Sequence, residues 1–281
     1  MKNEQVPQAV CSVCWRRCRI KEGQLGYCLA RTVRQGQVVA ENYGRLTSLA
    51  LDPIEKKPLS YFYPGSWILS AGSYGCNMAC PFCQNYSIAR KSSARDKAVY
   101  VDPQELVGKA LAARDRGNIG LAFTYNEPLV GYEYVRDTAR LARAHGLETV
   151  VVTNGQIEEE ALSELLPLIS AWNIDLKAFS QQAYGKLGGR LDVTLRTIRL
   201  AAEAAHVEVT TLLVPGLSDD EEEMRQEAAF LASIDPGLPL HLSRYFPCYQ
   251  FDAPATPKET MIRLQGIARQ SLERVILGNL G

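Results

Sequence analysis

The chain has 281 residues, of which 46% are hydrophobic and 22% charged, and its 31 basic residues balance its 31 acidic residues. This length suits one α/β barrel with a small appendage, and a core of that size needs no disulfide or metal. The balanced charge points to no nucleic-acid or membrane partner, and no apolar run approaches the ~20 residues of a membrane-spanning helix. The N-terminal stretch MKNEQVPQAV lacks the apolar centre of a signal peptide, so we expect a cytoplasmic protein.

Residues 1–65 form the first predicted unit, a cysteine-bearing segment followed by a connector. Its cysteines, Cys11, Cys14, Cys18 and Cys28, supply four thiolates within 18 residues. Four thiolates fit a structural zinc ion or a fully ligated second 4Fe–4S cluster, and the spacing leaves both open, with zinc our first choice. Basic residues between the ligands would offset the charge of such a site. A nucleic-acid-reading zinc ribbon is the alternative, but Trp15 is the one tryptophan here that could stack on a base.

Residues 66–281 form the second predicted unit, in which apolar strands alternate with amphipathic helices. Strands are predicted at 67–73, 119–124, 147–153, 172–178, 207–214 and 238–243. Helices are predicted at about 103–117, 129–145, 157–166, 191–205, 218–233 and 257–272. Asp102 and Ser218 are the predicted N-caps of two of them. The alternation predicts a parallel sheet with helices outside, arranged as a partial (β/α)6 TIM-like barrel.

Barrels of this kind carry their chemistry at the C-terminal ends of the strands, and the predicted strands end in cysteine or polar residues. In chain order these residues are Cys76, Cys80, Cys83, Tyr125, Asn126, Glu127, Thr153, Asn154, Asp175, Lys177 and His241. Because parallel strands deliver such residues to one rim, the pattern predicts a functional site there.

The first three of these residues have the spacing Cys76-x3-Cys80-x2-Cys83, with no fourth Cys or His near them in sequence. Structural zinc requires four ligands, whereas a 4Fe–4S cluster held by three thiolates leaves one iron open for a chelating molecule. This spacing, with the aromatic Phe82 before the last cysteine, resembles the radical S-adenosylmethionine (SAM) superfamily. The resemblance implies that SAM binds the open iron, with Phe82 beside it. It also implies that the reduced cluster cleaves SAM to a 5′-deoxyadenosyl radical, which abstracts hydrogen.

The same resemblance gives a role to the stretch after the second predicted strand. Glu127 stands where the family has an acidic residue that holds the amino group of SAM. Tyr125 and Asn126 stand where the family has glycines, so the backbone there would approach the methionine part of SAM differently.

Two further stretches are similar to segments of glycyl-radical activating enzymes. Thr153-Asn154 and Asp175-x-Lys177 resemble segments that border the carboxylate and ribose of SAM, and His241 resembles a histidine near the ribose. Two alternatives stay open at this point. Asp175 and Lys177 would pair with each other, and His241 would be a core histidine with its hydrogen bonds satisfied.

The narrowest resemblance is carried by DPIEKKPLSYFYPGS, GCNMACPFCQN, TYNEP and PLHLSRYFP, which look like AmmeMemoRadiSam-system radical SAM enzymes, relatives of pyruvate formate-lyase activating enzyme. It implies an oxidoreductase that abstracts hydrogen from a protein or peptide. It also implies an electron donor such as ferredoxin or flavodoxin, and Memo-like or AMMECR-like proteins as partners. A small-molecule substrate is one alternative. The other is a non-enzymatic iron–sulfur or zinc scaffold for nucleic acid or partner proteins.

Overall fold

The computed structural model describes residues 8–280, and no helix within that range is long and apolar enough to cross a membrane. The strands are β1 (Gln8–Val10), β2 (Arg19–Lys21), β3 (Arg31–Arg34), β4 (Gln37–Ala40), β5 (Arg45–Leu46), β6 (Ser48–Pro53), β7 (Trp67–Gly72), β8 (Val99–Tyr100), β9 (Asn118–Phe123), β10 (Glu148–Thr153), β11 (Ala171–Asp175), β12 (His206–Leu213), β13 (Leu240–Arg244) and β14 (Val275–Gly278). The helices are α1 (Tyr86–Ala89), α2 (Ser93–Lys97), α3 (Pro103–Ala112), α4 (Tyr132–Ala144), α5 (Glu159–Ser163), α6 (Gln181–Lys186), α7 (Leu191–Ala204), α8 (Glu221–Ala232) and α9 (Lys258–Ala268).

Eight strands form one sheet in the order β14-β13-β12-β11-β10-β9-β7-β6. The neighbours from β7 to β14 are parallel, which confirms the predicted α/β fold with a partial TIM-like barrel. Strand β6 is an antiparallel addition that the sequence did not reveal. Strand β6 belongs to the first predicted unit and pairs with β7 of the second. The domain boundary at residue 65 stays a prediction, and the sheet extends across it. The end strands β6 and β14 do not pair with each other within the described residues, which leaves the barrel open on one side.

One predicted helix start is confirmed and one is wrong. Asp102 caps α3, because its carboxylate accepts a hydrogen bond from the backbone N–H of Glu105 at 2.9 Å. Helix α8 begins after Asp220, not after Ser218 as predicted. The hydroxyl of Ser218 instead donates to the carbonyl of Leu212 at 2.6 Å and closes the turn after β12. Asp220 is the N-cap instead, because its carboxylate accepts hydrogen bonds from the first backbone N–H groups of the helix.

The segment between β6 and β7 closes the N-terminal end of the barrel. Its side chains Ile54 and Leu59 are fully buried and pack in one cluster with Ala122, Val150 and Ala171. Those three alanine and valine residues lie side by side on β9, β10 and β11. The opposite, C-terminal end of the strands is therefore the end that remains available for a site.

A buried carboxylate ties this closing segment to the barrel wall. Glu208 accepts hydrogen bonds from the backbone N–H groups of Ser60 at 2.9 Å and Tyr61 at 2.8 Å. Its two oxygens also lie 2.9 Å from Nε2 of His206 and 2.6 Å from Nε2 of His241. Burial opposes the charge, but these four partners lower the pKa of Glu208 to about 2.

We expect Glu208→Gln to lower the free energy of unfolding by about 2 kcal/mol at neutral pH, because hydrogen bonds to a charged group contribute about 1.5–3 kcal/mol. The pKa of this carboxyl is about 2 in the fold and 4.5 in the reference state. Its contribution is therefore complete above pH ~4.5 and is lost as the pH falls toward ~2. Denaturant unfolding near pH 7 and near pH 3 measures both effects, with the exposed Glu203→Gln as control. An equal loss at both pH values would contradict this account of Glu208.

Candidate active site

A cavity opens at the C-terminal end of the strands. Its volume is about 320 Å³. That is within the range of known small-molecule sites. Of the residues predicted for the site, those that line it are Cys76, Cys80, Phe82, Cys83, Tyr125, Asn126, Glu127, Thr153, Asn154, Asp175 and Lys177. The parallel topology thus brings together side chains that are as far apart in the sequence as Cys76 and Lys177.

The three predicted cluster cysteines lie on the loop between β7 and α1. The sulfur of Cys76 accepts from the backbone N–H of Met78 at 3.4 Å and from Nδ2 of Asn154 at 3.7 Å. Burial raises the pKa of Cys76 well above its usual value and that of Cys80 to about 11, although the nearby Lys177 ammonium favours the Cys80 thiolate. The free thiols are therefore protonated, and metal binding must release their protons.

The arrangement of the thiols fits a cluster better than a single ion. Within residues 8–280, no group of three or more His, Cys, Asp or Glu side chains is arranged to hold one metal ion. A 4Fe–4S cluster makes a different demand, because each cysteine binds its own iron. Three cysteines that line one open cavity fit such a cluster with one iron left free of protein ligands.

The neighbouring residues hold the cysteine loop against the barrel. Oδ1 of Asn126 accepts from the backbone N–H of Ser73 at 2.9 Å, and its Nδ2 donates to the carbonyl of Gly75 at 3.1 Å. Phe82 is 5% exposed and makes an edge-to-face contact with Tyr245. Asn126 and Phe82 therefore fix both ends of the loop, in addition to lining the cavity.

Glu127 is a buried acid that faces the cavity. It is 2% exposed. Its carboxylate accepts from the backbone N–H of Leu129 at 3.0 Å, from Oγ1 of Thr153 at 2.7 Å and from the backbone N–H of Asn154 at 2.8 Å. Burial nevertheless raises the pKa of Glu127 to about 7. Glu127 is thus a buried, hydrogen-bonded acid and not a solvated surface acid, and such a carboxyl group in a cavity is a candidate functional residue.

Asp175 and Lys177 line the cavity and also pair with each other. The ammonium of Lys177 lies 2.8 Å from Oδ2 of Asp175. Burial opposes the charge, but this carboxylate keeps the pKa of Lys177 above its usual range. The structure therefore shows the alternative, in which these two residues form an ion pair. Lys177 also lies close enough to Cys80 and Cys83 for its charge to favour their thiolates.

The structure does not bring His241 to the cavity. Its Nε2 is held by Glu208, deep in the barrel. Ser243, two residues further along β13 and on the same face, does line the cavity. Same-face neighbours on a strand are about 6.6 Å apart, so His241 lies one layer too deep. The predicted contact of His241 with the ribose of SAM does not fit this position, whereas the alternative of a satisfied core histidine does.

A polar network that joins Tyr125 to Asp52 was not predicted from the sequence. Tyr125 has a φ of +74°, and its hydroxyl donates to Oδ2 of Asp52 at 2.5 Å. The same oxygen lies 2.8 Å from the buried ammonium of Lys57, and Lys56, which lines the cavity, lies 3.1 Å from the other oxygen. Burial opposes its charge, yet these donors keep the pKa of Asp52 well below its usual range. The adjacent charges in DPIEKKP were the available signal, but the sequence does not show that Asp52 and Lys57 are the buried ones.

The four N-terminal cysteines come together as their spacing predicts. Cys11, Cys14, Cys18 and Cys28 line one small cavity outside the barrel. Burial, with added repulsion from the neighbouring cysteines, raises the pKa of Cys14 to about 12 and that of Cys28 to about 11. As they stand, these four thiols are not arranged around a single ion either, so zinc binding would require their side chains to move together. Zinc and a second 4Fe–4S cluster both stay proposals for this site.

The sequence of this chain is similar to one protein family and to individual known proteins. The model of the radical SAM superfamily matches residues 71–228. Uncharacterized protein MJ0808 of Methanocaldococcus jannaschii is 38% identical over 275 residues, which cover 96% of this chain and 81% of that protein. Pyruvate formate-lyase 1-activating enzyme of Escherichia coli is 25% identical over 223 residues, which cover 72% of this chain and 88% of that enzyme.

Solved structures share the fold. A domain of pyruvate-formate lyase-activating enzyme from Bacteroides vulgatus superposes with a TM-score of 0.50 at 24% identity, covering 57% of this chain and 99% of that one. Streptococcus suis SuiB bound to S-adenosylmethionine superposes with a TM-score of 0.57 at 15% identity, covering 74% of this chain and 48% of that one.

Proposed function

Because the chain belongs to the radical SAM superfamily, whose members use a 4Fe–4S cluster and SAM, we propose that Cys76, Cys80 and Cys83 hold that cluster here. Bound there, the cluster would supply the electron that cleaves SAM into methionine and a 5′-deoxyadenosyl radical. The observation that carries the proposal is that the cysteine loop, Glu127 and Asn154 line the same cavity. A scaffold for nucleic acid or partner proteins would have no need of this convergence.

The side chains around the cysteines would have different roles in binding SAM and the cluster. The carboxylate of Glu127, held by Thr153 and by the backbone of Asn154, would accept from the amino group of SAM. The amide of Asn154 already donates to the sulfur of Cys76, and donors to a ligating thiolate tune its cluster. The Asp175–Lys177 pair, further around the cavity, would face the carboxylate and ribose of SAM.

We further propose a protein or peptide substrate from which hydrogen is abstracted, as in a glycyl-radical activating enzyme. The barrel is open between β6 and β14. Lys56 and Asn279, just after these two edge strands, both line the cavity. A polypeptide loop entering there would reach the site from the side. Support also comes from the similarity to pyruvate formate-lyase activating enzymes.

The partners proposed for this chemistry come from the resemblance in the sequence. Memo-like and AMMECR-like proteins are the candidate substrates or partners, and a ferredoxin or flavodoxin is the candidate electron donor. We expect the reaction in the cytoplasm, where free thiols stay reduced. A small-molecule substrate is the second candidate, since the cavity would also admit one.

Label transfer tests the substrate class. The reconstituted protein is incubated anaerobically with SAM, a strong reductant and each candidate protein carrying deuterium on its glycine α-carbons. We expect deuterium in the 5′-deoxyadenosine formed with the true partner, and a faster release of deoxyadenosine than without it, because a radical must be held close to its target. The Cys76/Cys80/Cys83 triple alanine variant is the control. Deuterium arriving from a small metabolite, and from none of the proteins, would overturn the macromolecular substrate.

A further inference from the structure

We propose that the four N-terminal cysteines hold a thiolate-bound metal centre, zinc or an iron–sulfur cluster, that positions the backbone of Cys76. The occupied N-terminal site would then be required for a stable cluster in the barrel. The inference rests on the proposed function in one respect, namely that Cys76 is a cluster ligand. It gives the N-terminal site a role in the active site beyond holding its own segment together.

The backbone of Cys76 is bonded to the N-terminal segment on both sides. Its N–H donates to the carbonyl of Cys28 at 3.1 Å. Its carbonyl accepts from Nη1 of Arg90 at 3.1 Å, and the same nitrogen donates to the carbonyl of Tyr27 at 3.2 Å. The last cysteine of the N-terminal group is thus joined directly to the first cysteine of the barrel group, 48 positions away.

A second connection runs through Asn77. Arg16, which lies between Cys14 and Cys18, donates from Nε to the carbonyl of Asn77 at 2.8 Å. Asn77 lines the four-cysteine cavity, and its Oδ1 accepts from Nδ2 of Asn154 at 2.9 Å. Asn154 in turn lines the barrel cavity. Asn77 therefore contacts both sites.

The two loops approach each other so closely that only glycine fits at position 75. Gly75 has a φ of +92°, and a Cβ atom there would lie 2.5 Å from the carbonyl oxygen of Cys28. A displacement of Cys28 must therefore move the loop that carries Cys76.

A metal is what would fix Cys28. The chain around it, between β2 and β3, has no helix and no strand pairing beyond isolated bridges in the described residues. The side chains of Cys11, Cys14 and Cys18 line the same cavity. Ligation by all four thiolates would lock Cys28 in place, as metal binding commonly does for short segments with little regular structure.

The test removes the N-terminal metal with Cys14→Ser, a ligand that has no hydrogen bond to Cys76 in the structure. Elemental analysis of the reconstituted protein identifies the metal, since zinc and additional iron give different counts. We expect Cys14→Ser to lose that metal and to release its barrel iron to a chelator about 10-fold faster, the lower end of what loss of an outer-shell contact costs. Circular dichroism checks that the barrel stays folded.

Gly75→Ala is the complementary variant, because it leaves all four N-terminal cysteines in place. We expect it to retain the N-terminal metal and still to release barrel iron faster than the wild type. The inference is overturned if the wild type binds no metal at the four cysteines, or if Cys14→Ser loses that metal while barrel iron is released at the wild-type rate. A wild-type protein whose cluster does not respond to SAM would instead contradict the proposed function and leave the coupling between the two sites standing.

Discussion

Replacing Cys76, Cys80 and Cys83 together with alanine abolishes the iron signal that responds to SAM, while the barrel stays folded. We expect complete loss because no other Cys or His side chain lines this cavity in the described part of the chain. The fold survives because the hydrophobic core consists mainly of strand and helix residues that do not depend on a metal. Iron analysis and electron paramagnetic resonance with and without SAM measure the loss.

The matched control for the triple variant is Cys248→Ser, which removes a cysteine that belongs to neither group. We expect it to keep the SAM-responsive signal. A signal that still shifts on addition of SAM in the triple alanine variant would show that another set of residues binds the cluster.

Glu127→Ala weakens SAM binding about 10- to 150-fold. A hydrogen bond to a charged group is worth about 1.5–3 kcal/mol, and the variant removes the carboxylate proposed to hold the amino group of SAM. Alanine also leaves the N–H groups of Leu129 and Asn154 without their acceptor, so Glu127→Gln, which keeps the side-chain volume, is measured beside it. Equilibrium titration of SAM gives the affinities, with the exposed Glu159→Ala as control. Wild-type affinity in both Glu127 variants would remove Glu127 from the binding site.

The pH dependence of SAM binding provides a second test of the role of the Glu127 carboxyl group. Burial raises the pKa of Glu127 to about 7, so the group is mostly protonated near pH 6 and mostly ionised near pH 8. Because the ionised form is the better acceptor, the wild type is expected to bind SAM more tightly as the pH rises through this range. Glu127→Gln, which cannot ionise, is expected to lose this contribution.

The barrel and most of the site could be predicted from the sequence because the information is local. Apolar strands separated by amphipathic helices require a parallel sheet, and a parallel sheet places the residues after each strand at one rim. The positions of Glu127 and Asn154 directly after predicted strands were enough to predict that both lie near Cys76.

The remaining features depend on contacts between distant residues. Whether His241 or Ser243 reaches the cavity is decided by strand depth, which one sequence does not reveal. Strand β6 shows no regular alternation of exposed and buried residues, so its pairing with β7, and with it the burial of Lys57, could not be predicted. The backbone hydrogen bond from the N–H of Cys76 to the carbonyl of Cys28 joins two loops. No periodic sequence pattern specifies the conformation of either loop.

The most direct test of the central claim is the quantity of 5′-deoxyadenosine formed from SAM under anaerobic conditions with a strong reductant. The proposed function predicts that the reconstituted wild-type protein forms deoxyadenosine and methionine in equal amounts, and that the Cys76/Cys80/Cys83 triple alanine variant forms neither. A wild-type protein that holds an intact cluster and bound SAM, yet forms no deoxyadenosine, would contradict the claim that this site cleaves SAM.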